Sequence, residues 1–194
     1  MSKYISLTRR NCMVFLRDRT AVFFSLLSMM MVLLMMCVFL GDMNTKGILN
    51  VLEQYGGERN LVQDKENALN LVQYWTLAGI MVVNALTVTL SVIGIMVGDA
   101  NENKLQSFFS APVNRSVIAL SYITTAILVG MLFCMITLGV TLGYIYITGG
   151  TMLSVGALVQ IFGYTLMNVC IFAIIMYMLA LFVKSSSAWG GLQP

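Results

Sequence analysis

Four long apolar runs punctuate the chain, from about Ala21 to Leu40, Trp75 to Val97, Val117 to Ile147 and Met152 to Val183. Each meets the requirement of about 20 apolar residues for crossing a hydrocarbon core of about 30 Å. Hydrocarbon offers backbone amides no partner, so such spans must be helical. The pattern predicts transmembrane helices over 21–40, 75–97, 117–147 and 152–183, and an all-α, polytopic membrane fold. The last two runs are about 31 residues each, roughly 46 Å as helix, so they should tilt or project beyond the bilayer.

Three polar stretches separate or precede these runs. Residues 4–19, YISLTRRNCMVFLRDR, form a short mixed segment. Plotted as a helix, Tyr4, Leu7, Val14 and Phe15 gather on one side, with Ser6, Arg10 and Arg17 opposite. That predicts an interfacial helix whose Arg10 and Arg17 face lipid phosphates; a basic topogenic tail is the plainer reading. A cleaved signal peptide does not fit, because the following apolar run is too long and no A-x-A-like site follows Leu40. Residues 41–74 form a long acidic loop.

The third stretch is the island GDANENKLQSFFSAPVNRS, residues 98–116. Asp99 can cap a helix, and Glu102 stands at the reciprocal capping-box position. Leu105, Phe108 and Phe109 follow at i, i+3 and i+4, so they share one face, and Lys104 lies beside them. Pro112 disfavours helix at Ala111 and ends the segment. Asn114 or Ser116 can then cap the next span, which begins beside Arg115. A short helix over 99–111 is expected, with an aromatic face suited either to the headgroup layer or to a groove on a cytosolic protein.

Charge orients these segments. Lys3, Arg9, Arg10, Arg17 and Arg19 precede the first run, Lys104 and Arg115 lie in the island, and Lys184 follows the fourth run. In 41–74 the bases Lys46, Arg59 and Lys65 are outnumbered by Asp42, Glu53, Glu58, Asp64 and Glu66. The positive-inside rule places the amino terminus and the island in the cytoplasm and 41–74 outside.

Composition narrows the function classes. The 194 residues are 59% hydrophobic and 10% charged, far from a soluble domain's balance. A net charge of +3, scattered along the chain, gives no reason to invoke nucleic acid. There is no histidine, which removes Ser-His and Cys-His nucleophile pairs, His-ligated zinc and HExxH chemistry. Cys12, Cys37, Cys134 and Cys170 lack metal-ligand spacing and lie outside the long loop, so they read as packing thiols rather than a disulfide or metal set. The four runs hold no charged residue, whereas ion-coupled transport needs an intramembrane ionisable group. Gly94–Gly98 and Gly139–Gly143 show GxxxG spacing, a weak sign of close helix packing. The methionine cluster at 29–36 reads as lipid-facing filler in preference to a pliable substrate path. No GxxxxGK[ST] phosphate loop occurs, so ATP has no site of that kind in this chain.

The order of segments, with the island residues Asp99, Glu102, Lys104, Leu105, Phe108, Ser110, Pro112, Val113 and Arg115, resembles the membrane subunit of ABC-2 type exporters. YITGGTMLS and FVKSSSAWGGL resemble bacterial members as well. The resemblance implies that 99–111 is a coupling helix, with Asp99, Glu102, Lys104, Leu105, Phe108, Phe109, Pro112 and Arg115 at the contact with a separate cytosolic ATPase. It also implies ATP and Mg on that partner and no cofactor, metal site or catalytic residue here. A second permease copy or paralogue, surrounding lipids and a bacterial inner or plasma membrane location follow in the same way. Family members generally have six spans, and this chain ends at SSSAWGGLQP where a fifth should begin, so residues 1–194 are expected to be a truncated unit. The expected activity is outward movement of an apolar or amphipathic substrate such as a drug, antimicrobial peptide, lipid or glycan. A non-transporting adaptor that docks a cytosolic protein through 99–111 is the alternative.

Overall fold

The computed structural model describes residues 2–35, 41–54, 61–104, 114–148, 150–183 and 186–191. These residues are helical almost throughout: α1 Ser2–Arg17, α2 Arg19–Met35, α3 Gly41–Gln54, α4 Leu61–Asn101, α5 Arg115–Ile147, α6 Val155–Phe182 and α7 Ser186–Gly190. Helices α4, α5 and α6 are each long and apolar enough to cross a membrane. The α1–α2 pair meets the same test only as one element bent by 69°. The expected 21–40 helix is described as far as Met35.

The corner between α1 and α2 has a local cause. Asp18 Oδ1 accepts from the backbone N–H groups of Thr20 (3.0 Å) and Ala21 (3.1 Å). A carboxylate on the orphan amides of a new first turn starts α2 afresh, and its charge suits that end of the helix dipole.

Helix α4 is the axis of the fold and touches every other helix. At 41 residues it is about 60 Å long, about twice a hydrocarbon core. Residues 61–74, expected as part of a loop, are its first turns, and 41–54 are the helix α3. The reason is legible after the fact: Ala68 and Val72 continue the buried stripe of α4 downward from Leu77 and Ile80. No glycine or proline interrupts 61–78.

One cluster, built on Val88, Ile93, Tyr122, Phe133 and Ala173, joins α4, α5 and α6 and receives Phe15 from α1 and Trp189 from α7. A second, with Leu77, Met81, Cys134 and Val169, continues it toward the opposite end. Thr89, Thr125, Thr137 and Thr141 are fully buried within these contacts. Each donates its hydroxyl to the carbonyl four residues earlier, at 2.7–2.8 Å. Self-satisfied hydroxyls let small polar residues sit between apolar helices without an orphan donor.

Close approach falls on Gly130 of α5, where a Cβ would lie 2.9 Å from Val169 Cγ1 and 3.4 Å from Thr89 Cγ2. The GxxxG spacings do not mark it: a Cβ on Gly98, Gly139 or Gly143 meets nothing within 4 Å.

Candidate functional site

The island's root is organised by Asp99. It lies in the last turn of α4 and is 5% exposed. Its Oδ2 accepts from Arg10 Nη1 at 2.7 Å and from Tyr122 Oη at 2.6 Å, and its Oδ1 accepts from Arg10 Nη2 at 3.1 Å. The guanidinium thus grips the carboxylate with both arms, the strongest geometry open to such a pair. Hydrogen bonding to Asp99 holds the Arg10 charge above its ordinary range against the opposing effect of burial.

The grip widens into a polar seam between α1 and α5. Arg10 Nη1 also donates to Asn11 Oδ1, and Asn11 Nδ2 donates to Ser121 Oγ at 3.4 Å. Thr125 Oγ1 reaches the Thr8 carbonyl, and the hydroxyls of Tyr4 and Thr124 meet at 2.5 Å. Beyond this seam the Phe15 and Phe133 rings pack edge to face, 6.0 Å apart. Helix α1 is therefore fixed to the ends of both α4 and α5.

Two expectations are corrected here. Asp99 does not begin a helix: α4 runs on to Asn101, and the Glu102 N–H donates to the Gly98 carbonyl at 3.0 Å. The helix ends at Asn101, and in the turn that follows Asn103 has a φ of 58°, a conformation asparagine tolerates just past a helix end. Glu102 instead pairs with the exposed Lys104, and hydrogen bonding to Glu102 pushes the Lys104 ammonium's pKa above its ordinary range. Arg10, for its part, turns inward to Asp99 and does not share an outward face with Arg17. The outward face of α1 carries Ile5, Arg9, Met13, Leu16 and Arg17, all exposed.

Leu105, Phe108, Phe109 and Pro112 lie outside the described residues. Arg115 opens α5 and is exposed, after Asn114 in extended conformation at the N-cap position. The Asn114 side chain makes no capping bond. Tyr122 and Trp189 are site residues that sequence reasoning missed. Trp189, 2% exposed, donates from Nε1 to the Leu90 carbonyl at 3.3 Å and closes one side of a cleft of ≈ 340 Å³ that also meets Asp18, Asp99 and Lys104. Only alternation of polar and apolar positions was available to find them, and a tyrosine or tryptophan in an apolar run carries no such contrast.

At the far end of α4 a second polar knot holds the α5–α6 connection. Gln73 Nε2 donates to Thr148 Oγ1 at 2.9 Å, Tyr74 Oη donates to the Thr151 carbonyl, and the Thr151 N–H donates to Asn70 Oδ1 at 3.1 Å. Gly150 lies so close that a Cβ would stand 2.5 Å from Gln73 Oε1.

As for the cysteines, Cys134 is buried and Cys12 and Cys170 are half-buried, all as free thiols. Burial pushes the Cys12 thiol above its ordinary value, which makes it a poor nucleophile at neutral pH. Cys37 lies outside the described residues. No family model, curated protein or solved structure matches this chain.

Proposed function

We propose that this chain is the membrane-spanning permease subunit of an ATP-driven exporter of the ABC-2 type, moving an apolar or amphipathic substrate outward. The observation that carries the reading is the Arg10–Asp99–Tyr122 grip. It joins α1, α4 and α5 at the root of the island that would meet a cytosolic ATPase. ATP and Mg reside on that separate subunit, and the island acts as its coupling helix. Displacement of the island is passed to α4 through Asp99 and to α5 through Tyr122, so the two long helices move together with α1. The grip suits force transmission because a bidentate, partly buried ion pair resists rotation better than apolar contact does.

Co-purification with a cognate ATP-binding-cassette ATPase tests the reading. Wild type is expected to retain the ATPase, and the double variant Phe108→Asp, Phe109→Asp to lose it. Retention at wild-type level by the double variant would sink the coupling role. A captured cytosolic protein without nucleotide hydrolysis would instead identify a docking adaptor.

A further inference from the structure

Between α4 and the α1–α2 corner, three spaces join into one furrow. The cleft that Trp189 closes, ≈ 340 Å³, shares Asp18, Ala21 and Ser91 with a second of ≈ 210 Å³. Thr87 links the second to a small space beside Met29 and Asn84. On α4 the furrow follows Asn84, Thr87, Ser91, Gly94 and Gly98, at alternating steps of three and four. Small residues in such a stripe ordinarily let helices touch. Here a Cβ on Gly98 would meet nothing within 4 Å among the described residues, so the missing side chain widens the furrow.

Polar groups inside the furrow lack partners. Ser25, 6% exposed, lines the second cavity and makes no hydrogen bond among the described residues. Asn84, 4% exposed, donates to Thr137 Oγ1 at 2.6 Å, but its Oδ1 accepts from no described residue. Hydrocarbon satisfies neither group, so an acyl chain is a poor occupant. The mouth is lined by Asp18, Asp99 and Glu102, with Lys104 as the base among them. Arg10 answers Asp99 and Lys104 answers Glu102. Asp18 caps α2 through Oδ1 and has no basic partner among the described residues. Arg9, Arg17 and Arg19 lie outside the lining, and Phe15, Phe24 and Trp189 give it apolar walls.

We infer that this furrow binds an extended apolar peptide, its free amino group at Asp18 and its backbone amides on Ser25 and Asn84. An ammonium supplies the counter-charge that Asp18 lacks. Peptide N–H groups supply donors for the Asn84 carbonyl oxygen and the Ser25 hydroxyl, and apolar side chains suit the aromatic walls. The dimensions agree. Asp18 and Ser25 are seven residues apart on α2, about 10 Å, which about three extended residues span. The site names a substrate class for the exporter reading and rests on that reading for its role. Binding is measured without an ATPase, so loss of binding and loss of ATPase capture are separate failures.

Thiol labelling of the full chain in maltoside micelles tests it, with the four native cysteines replaced. Ser25→Cys should react with a water-soluble maleimide, and Leu128→Cys, on an exposed apolar face of α5, should react far more slowly. Trileucine amide should protect Ser25→Cys saturably. Its acetylated form, without the ammonium, should need about threefold more, the scale of one exposed ion pair. Octylammonium, without amides, should need about tenfold more, the scale of one or two hydrogen bonds. Asp18→Asn keeps a side chain that can cap α2, and it should erase the difference between free and acetylated peptide. Where Asp18→Asn lowers the thermal midpoint, Ser91→Leu replaces it: by filling the junction of the two cavities it should abolish protection. An unreactive Ser25→Cys, or no protection by the peptide, overturns the proposal. So does equal protection by octylammonium, a preference for the free amino end that survives Asp18→Asn, or protection that survives Ser91→Leu.

Discussion

Gly130 and Val169 approach so closely that a Cβ added to the glycine would stand 2.9 Å from the valine Cγ1. Val169 is fully buried and, being β-branched, has little rotamer freedom with which to yield. Alanine at 130 gains helix propensity of about 1 kcal/mol. The collision opposes this by about 1–3 kcal/mol, the usual cost of overpacking. Gly130→Ala is expected to lower the thermal midpoint of the detergent-solubilised chain, and Gly130→Val to lower it further. Adding Val169→Ala to Gly130→Ala should restore most of the loss, as a double-mutant cycle would register.

Breaking the grip from either side should give unequal results. Asp99→Asn leaves the partly exposed Arg10 guanidinium without its counter-charge, while the new amide can still bond Tyr122. Arg10→Leu leaves a nearly buried carboxylate unpaired, a change that costs about 3–5 kcal/mol in the interior of proteins. Limited proteolysis between α1 and α2 should therefore rise more in Arg10→Leu than in Asp99→Asn. Equal and wild-type protection in both would show that the grip does not hold α1.

The pH dependence of the grip on its basic side follows from Arg10. Its charge is held above the ordinary arginine range, so the stabilisation is fully present below that range and is lost only as pH rises through the still higher folded value. Alkaline solutions well short of that value should leave α1 protection intact. Protection lost midway through a mildly alkaline titration would assign the hold on α1 to some other group.

Arg9 and Arg17 are the arginines that the outward face of α1 presents, and each can add about 1 kcal/mol of attraction to an anionic leaflet. Arg9→Glu with Arg17→Glu should reduce retention of anionic phospholipid by the purified chain, read by native mass spectrometry. The inward Arg10→Gln should leave that retention nearly unchanged. If Arg10→Gln reduces it most, the outward face has been misassigned.

Orientation is open to a direct test. A reporter within 55–65 should be reached from outside and one beside Asn103 from the cytoplasm, as the lysine and arginine asymmetry requires. Labelling with the opposite sidedness would move the Asp99 grip to the outer surface and remove it from any cytosolic ATPase.

The long helices were legible because a continuous apolar run has few other ways to fold. The expected 117–147 run lies within Arg115–Ile147. The 152–183 run is trimmed to Val155–Phe182 because Ser154 accepts from the Ala157 N–H and starts the helix there. Asp99 was legible as a helix residue but not as the right kind. An Asp followed three residues later by Glu looks the same at a helix start as inside one, and the partners that decide, Arg10 and Tyr122, lie 89 and 23 residues away. Arg10 was misplaced for a related reason, since adjacent arginines at 9 and 10 leave open which one faces the protein. Gly130 gave no signal at all, because its need for smallness arises from Val169 and Thr89 on two other helices.

The position of Gly130 gives α4 unequal arms. Thr89, the residue of α4 that the glycine faces, lies ten residues from Asp99 and sixteen from Gln73. At 1.5 Å per residue the arms are about 15 and about 24 Å. If the tight crossing is the fulcrum, a sideways displacement applied at Asp99 reaches Gln73 reversed in direction and enlarged about 1.6-fold. Gln73 is the residue that grips Thr148 at the α5–α6 connection. Mechanical advantage is surrendered at one end of the helix and travel is gained at the other, where the polar knot holding that connection is made of a few hydrogen bonds.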